Sequence, residues 1–166
     1  MSDKGWKQAE RSFAKDVQTT RIPVTGERYG ADFLDGRHAY QLKCRSCIPG
    51  WVGVRPLTHN QRRMPLWMER WLAGIIISAQ RGGRTGVLVL RQRMKKHAVI
   101  VMRHEDWVSV YGPVVPVWAW EVSLGHDHVV CMRWPDWVQV ASGPAPLPAT
   151  RSALGVAGTG GAGGCG

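Results

Sequence analysis

Two stretches thirty residues apart agree at seven of twelve positions: Val99–Val110 reads VIVMRHEDWVSV and Val129–Val140 reads VVCMRWPDWVQV. Each is an apolar run of strand length closing on Arg103 or Arg133. An Asp-Trp segment of turn or short-helix character follows, at Asp106-Trp107 and Asp136-Trp137. Upstream, Val87–Leu90 and Val117–Trp120 are both apolar and keep the same offset. One reading is two copies of a strand–turn–strand–cap unit, Gly86–Val110 and Pro116–Val140. The other is chance similarity between apolar strands that each end in an Asp-Trp turn.

The rest of the chain alternates in the same way. Trp6, Ala9, Glu10, Phe13 and Val17 fall on one face of a helix over about Lys4–Gln18, with Lys7, Arg11 and Lys15 largely off it. Pro23 and Gly26 break a loop. Ala31–Leu34 and His38–Cys44 are short strands separated by Asp35-Gly36, a hairpin signal because Gly tolerates positive φ in a tight turn. A turn-rich connection runs from Ile48 to about Arg63. Pro65 suits the first turn of a second helix, with Met64, Met68, Trp71, Leu72, Ile75, Ile76 and Ala79 as its buried stripe. Gly82-Gly83 and Gly86 end it. Gly86–Arg93 and His97–Arg103 are expected strands around a basic turn, Glu105–Tyr111 a short helix or turn, and Val117–Val122 and His128–Arg133 two further strands. The pattern predicts an α/β domain: a central mixed, mostly antiparallel sheet flanked by helices, with an extra C-terminal β-hairpin. Its expected bounds are residues 1–141, with a core over about 4–111 and the possible duplicated unit at 114–141. Residues 142–166 hold eight Gly, five Ala, three Pro and one charge, Arg151. With so little to bury, they are expected to form a flexible tail.

Charge narrows the partner. From Gly36 to His104 there are fourteen Lys and Arg, and the sole acid is Glu69. An excess this one-sided makes a field suited to a polyanion rather than a balanced surface of ion pairs. Hydrophobic residues make up 44% of the chain, enough for a real core. Its longest near-apolar run, Leu66–Ser78, is broken by Glu69 and Arg70 and is shorter than the roughly 20 residues of a spanning helix, so no membrane role is expected. No secretory apolar stretch opens the chain, and four cysteines do not suggest a disulfide scaffold. A cytoplasmic, reduced, nucleic-acid-binding protein is the expectation.

Three features carry chemistry. Glu10 lies on the apolar face of the first helix. Asp32 lies in the first strand of the hairpin. Gln41-Leu42-Lys43 lies in the second strand, where alternation puts Gln41, Lys43 and Arg45 on one face and Tyr40, Leu42 and Cys44 on the other, toward the core. Carboxylate and carbonyl oxygens so combined suit Mg²⁺ or Mn²⁺.

At these residues the chain resembles the PD-(D/E)XK nuclease superfamily, most nearly the archaeal Holliday-junction resolvases and their phage-encoded relatives. That pattern is a Glu on the first helix, an Asp on a strand and (E/Q)-x-K on the next, here Glu10, Asp32 and Gln41-Leu42-Lys43. The loop Arg21-Ile22-Pro23-Val24-Thr25-Gly26 is similar to the family's R-x-P-x-(S/T)-G, and the later element order, through Asp106-Trp107, is similar too. The likeness covers about residues 4–111. It implies a restriction-endonuclease-like fold and a metal-dependent DNA endonuclease, structure-specific for branched DNA and homodimeric, since two symmetric nicks need two sites. In that scheme Glu10, Asp32, Gln41 and the Leu42 carbonyl hold Mg²⁺ or Mn²⁺, and Lys43 orients water or stabilises charge on the phosphate. Arg21, Thr25, Arg45, Arg62, Arg63, Lys95 and Lys96 are the expected DNA contacts. Gln41 departs from the usual Glu: an amide oxygen ligates without charge, so metal affinity should fall.

Three other readings compete. A nuclease fold with weak or no activity would act as a nucleic-acid-binding module. Cys44-Arg45-Ser46-Cys47, with His126, His128 and Cys131, offers a zinc set. Some of the nine Trp could form a base-stacking platform, although Trp6 and Trp71 fall on helical core stripes.

Overall fold

A computed structural model describes residues 3–19, 21–22, 30–49, 64–93, 98–124 and 127–143. The elements run α1 (Asp3–Asp16), β1 (Phe33–Leu34), β2 (His38–Arg45), α2 (Leu66–Arg81), β3 (Thr85–Gln92), β4 (Ala98–Arg103), α3 (His104–Tyr111), β5 (Trp120–Leu124), β6 (Asp127–Arg133) and α4 (Trp134–Ser142). One mixed sheet takes the order β1-β2-β3-β4-β6-β5; β2 and β3 are parallel and every other pair is antiparallel. The fold is thus the α/β sheet with flanking helices that the pattern predicts, an open sheet with the β5–β6 hairpin at one edge. The basic turn at Lys95 and Lys96, the end of the Arg21–Gly26 loop, most of the Ile48–Arg63 connection and the expected tail beyond Gly143 lie outside the described residues.

Covering the sheet on both sides explains the unbroken apolar runs at Val87–Leu90, Val99–Met102 and Val129–Met132, since strands buried on two faces lose polar alternation. On one face Phe13 and Ala14 of α1, Val17 just after it, Trp107 of α3 and Trp134 and Trp137 of α4 pack on Tyr40, Leu42, Val89, Ile100, Met102 and Met132. On the other, Met68, Leu72, Ile75, Ile76 and Ala79 of α2 pack on Ala39, Leu88, Leu90, Val101 and Cys131.

The repeated sequence is the same structure twice: β4 into α3, and β6 into α4. Val101 pairs with Cys131, its own counterpart thirty residues on, and Val99 pairs with Arg133 as Arg103 does with Val129. An approximate twofold axis therefore passes between Val101 and Cys131, with β3 and β5 on its outer sides. The outer strands break the offset. Leu88 pairs with Val101 but Trp120 with Cys131, so the strand expected at Val117–Val122 is Trp120–Leu124 instead. Val117 and Trp118 sit in a turn, because the Pro116 carbonyl accepts the Ala119 N–H at 2.9 Å and delays the strand. Three of the four Trp of this segment are covered within the chain, Trp120, Trp134 and Trp137 being buried, while Trp118 is 39% exposed.

Two glycine expectations are corrected. Gly36 does not adopt positive φ. The Asp35 carboxylate makes the turn instead, its Oδ1 accepting the N–H groups of Arg37 at 2.7 Å and His38 at 2.6 Å. Gly86 does not end α2; it lies inside β3, where a Cβ would meet the Ile76 backbone at 2.9 Å. Gly82 and Gly83, the latter with φ +64°, suffice to end the helix. Gly86 is what lets α2 approach the sheet so closely. Gly86→Ala should destabilise the fold by about 1–3 kcal/mol, because backbone cannot rotate aside as a side chain can. Urea denaturation at constant m-value measures this, and an unchanged midpoint contradicts it.

Candidate metal and phosphate site

Asp32 lies one residue before β1, not within a strand as expected, and is tied into the sheet edge from both sides. Its N–H donates to the Tyr40 carbonyl at 2.7 Å and its carbonyl accepts from Ile22 N–H at 2.8 Å. Its Oδ2 accepts the Leu42 N–H at 2.7 Å, so β2 bonds to a carboxylate where β1 runs out. In an extended strand a residue's N–H and C=O leave on the same side, so the Leu42 carbonyl also faces this edge.

Glu10 arrives from α1 and is only 2% exposed. The helical period that buries Phe13 and Ala9 buries it as well. Its Oε2 accepts from Arg21 Nε, and Arg21 is held in place by a bridge to Phe33. Arg21 is thus a partner of Glu10 inside the site. Burial pushes the Asp32 carboxyl up to about 6; the Leu42 N–H opposes this, Glu10 adds to it, and Lys43 and Arg21 oppose it. Burial likewise pushes the Lys43 ammonium below its ordinary value, against the attraction of Asp32 and Glu10. Glu10, Asp32 and Lys43 are therefore one electrostatically coupled group at the β1–β2 edge.

Gln41 completes the row. Its side chain is 1% exposed, and Nε2 donates to the Gly30 carbonyl at 3.2 Å, two residues before Asp32. Its Oε1 is buried and has no hydrogen-bond partner among the described residues. Leaving a buried acceptor unsatisfied costs about 1–3 kcal/mol, which a ligating cation would offset. Among the described residues no three His, Cys, Asp or Glu side chains form a metal-binding group. The candidate set is instead two carboxylates, one amide oxygen and one backbone carbonyl, all hard oxygen donors suited to Mg²⁺ or Mn²⁺. By donor chemistry, Glu10, Asp32, Gln41 Oε1 and the Leu42 carbonyl are the groups that would hold such an ion.

The raised Asp32 value has a stability consequence. Between pH 3.8 and about 6 the folded chain binds the Asp32 proton more tightly than the unfolded chain does. The contribution of Asp32 to stability therefore falls as pH rises through that window, and above it the full cost of a buried carboxylate remains. Asp32→Asn, which keeps an oxygen for the Leu42 N–H, should raise stability at pH 7 by about 3 kcal/mol in metal-free buffer and leave it unchanged near pH 3. Denaturant midpoints across this range test it; an equal shift at both ends contradicts the assignment.

Among the expected DNA contacts, Arg45 ends β2 on the Lys43 face, its guanidinium carbon 4.5 Å from the Trp67 ring centroid and 5.1 Å from that of Trp71. Thr25, Arg62, Arg63, Lys95 and Lys96 lie outside the described residues. The zinc set does not assemble from its described members: Cys131 is fully buried under α2, while His128, three residues away, is exposed with Nε2 3.8 Å from Glu121 Oε2. An odd spacing on a strand puts them on opposite faces.

Sequence reasoning missed two groups. His38 is fully buried, with Nδ1 at 2.9 Å from Asp35 Oδ2 and Nε2 at 2.9 Å from the Tyr111 hydroxyl. Tyr40 O–H donates to Asp35 as well, and Trp137 Nε1 donates to the Tyr40 hydroxyl at 3.3 Å. Burial alone would raise the Asp35 carboxyl, but His38, Tyr40 and the Arg37 N–H hold it down at about 2. This network pins the hairpin to α3 and α4. The second group is the Trp67–Trp71 pair; Trp71 is only partly buried, not a core position, and the four-residue spacing was its visible signal.

No protein-family model, no curated protein and no solved structure matches the chain.

Proposed function

We propose that this protein is a metal-dependent DNA endonuclease acting by phosphodiester hydrolysis, with branched DNA as its substrate and a homodimer as its working form. The observation that carries the reading is the convergence of Glu10, Asp32 and Lys43 at one sheet edge, beside a buried Gln41 oxygen that has no partner among the described residues. A divalent ion bound there supplies Lewis acidity to a phosphoryl oxygen and a bound water of lowered pKa. Lys43 presents its ammonium to the charge that develops on the phosphate. Arg21 holds Glu10 in place and balances the two carboxylates. Basic residues beyond the site bind backbone phosphates, which positions DNA without reading sequence. Among the described residues Cys44, Cys47 and Cys131 are free thiols, which suits a reducing, cytoplasmic setting. No described helix is long and apolar enough to cross a membrane.

A second reading, a binding module without activity, is favoured by the uncharged Gln41 and by the ion pair that already occupies Glu10. Labelled four-way junctions and linear duplexes, incubated with Mg²⁺, Mn²⁺ or chelator, separate the two. The endonuclease reading expects metal-dependent cleavage with the junction preferred. Tight junction binding with no cleavage in either metal establishes the binding module, and equal cleavage of both DNAs contradicts branch specificity.

A further inference from the structure

Because β2 and β3 are parallel, their C-terminal ends lie at the same end of the sheet, and α2, crossing between them, brings its first turns back over it. In α/β sheets the crevice outside these strand ends is where ligands bind. Here Trp67 and Trp71, one helical turn apart, meet edge to face with ring centroids 4.9 Å apart at 61°. Arg45 lies over both rings, and Lys43 Nζ is 5.6 Å from the Trp71 centroid. Both indoles are partly exposed, and the adjoining Leu66 is 58% exposed. Among the described residues no carboxylate forms an ion pair with Arg45, whereas Lys43 is shared with Asp32 and Glu10.

This arrangement does more than pack a helix. A guanidinium resting on two indoles is held in one orientation while its N–H edge stays available for a phosphate. Lys43 and Arg45 are same-face neighbours on a strand, about 6.5–7 Å apart along it. That interval is comparable with the one between neighbouring phosphates of an extended DNA strand. Double-stranded DNA presents its phosphates but keeps its base faces stacked, so a duplex gives indoles nothing to stack on. An unpaired nucleotide offers both a phosphate and a free π-face.

We propose that Trp67, Trp71 and Arg45 form a subsite for an unpaired nucleotide next to the phosphate addressed by Lys43, so that the substrate is DNA with single-stranded nucleotides beside the cut. This rests on the endonuclease reading for its position relative to the cut, but the subsite is tested by binding alone.

The experiment is fluorescence anisotropy in chelator, where no cleavage occurs, with a blunt duplex and the same duplex carrying a short thymidine overhang. Wild type should prefer the overhang ligand. Combined Trp67→Leu and Trp71→Leu should cost about tenfold or more on the overhang ligand and less than about twofold on the blunt duplex, since stacking acts on unpaired bases. Arg45→Gln, a surface change that leaves the core intact, should also remove the preference and lower the salt slope by about one. Thermal melting checks that the indole variant is folded; if it is not, Arg45→Gln decides. Equal wild-type affinity for both ligands, or parallel losses on both, overturns the proposal. A retained preference in a protein that cuts no DNA would keep the subsite and refute the endonuclease reading alone.

Discussion

Lys43→Ala should reduce cleavage of junction DNA by about two to three orders of magnitude under single-turnover conditions and leave junction affinity within about threefold. Lys43 is the cation on the β2 face between Gln41 and Arg45, and its charge is coupled to Asp32 and Glu10. Removing it deletes the donor aimed at developing phosphate charge, whereas one phosphate contact among many changes binding little. Stability should hold, because a partly desolvated ammonium costs the fold free energy that the variant recovers. A Lys43→Ala protein that cuts within about tenfold of wild type would show that the lysine positions nothing catalytic.

Ending the chain at Pro113 should abolish folding. That truncation removes β5, β6 and α4, and with them the partner of β4 along Val99–Arg103. Trp134 and Trp137 leave the face where they cover Phe33, Tyr40 and His38. Deleting one such Trp side chain costs about 3–5 kcal/mol, so losing both together with a central strand exceeds the roughly 5–15 kcal/mol that holds a typical domain. Ending at Gly143 keeps these contacts, including Arg37 Nη2 donating to the Ala141 carbonyl at 2.6 Å and the Gly143 carbonyl at 3.0 Å. The longer fragment should melt cooperatively like the whole chain, and the shorter one should aggregate. A soluble residue 1–113 fragment with a cooperative melt would overturn the structural role of the second repeat.

Elements driven by local pattern were legible in the sequence. The helical period through Trp6, Ala9, Phe13 and Val17 placed α1 within a few residues, and the runs at Val87, Val99 and Val129 placed three central strands. Alternation from Tyr40 to Arg45 put Gln41, Lys43 and Arg45 on one face, as the contacts of Lys43 and Arg45 with Trp71 bear out. What escaped depended on partners distant in the chain. Gly86 looked like a helix stop because its function lies in the Ile76 backbone across the helix–sheet interface. His38 showed no signal, since its second partner, Tyr111, is seventy-three residues away. The ion pair of Arg21 with Glu10 was hidden for the same reason: a motif position gives a residue type, and the fold decides what it touches. The start of β5 was misplaced because one turn hydrogen bond, from Ala119 N–H to the Pro116 carbonyl, outweighed the strand propensity of Val117.

The central claim is that Glu10, Asp32, Gln41 and the Leu42 carbonyl hold a divalent cation. Mn²⁺ titration followed by electron paramagnetic resonance, on wild type, Asp32→Asn and Gln41→Glu, tests it most directly and needs no substrate. The account predicts one weak site in wild type, its loss in Asp32→Asn, and binding about tenfold or more tighter in Gln41→Glu, where a third carboxylate replaces the neutral amide. Equal Mn²⁺ affinity in wild type and Asp32→Asn, or weaker binding in Gln41→Glu, would contradict it.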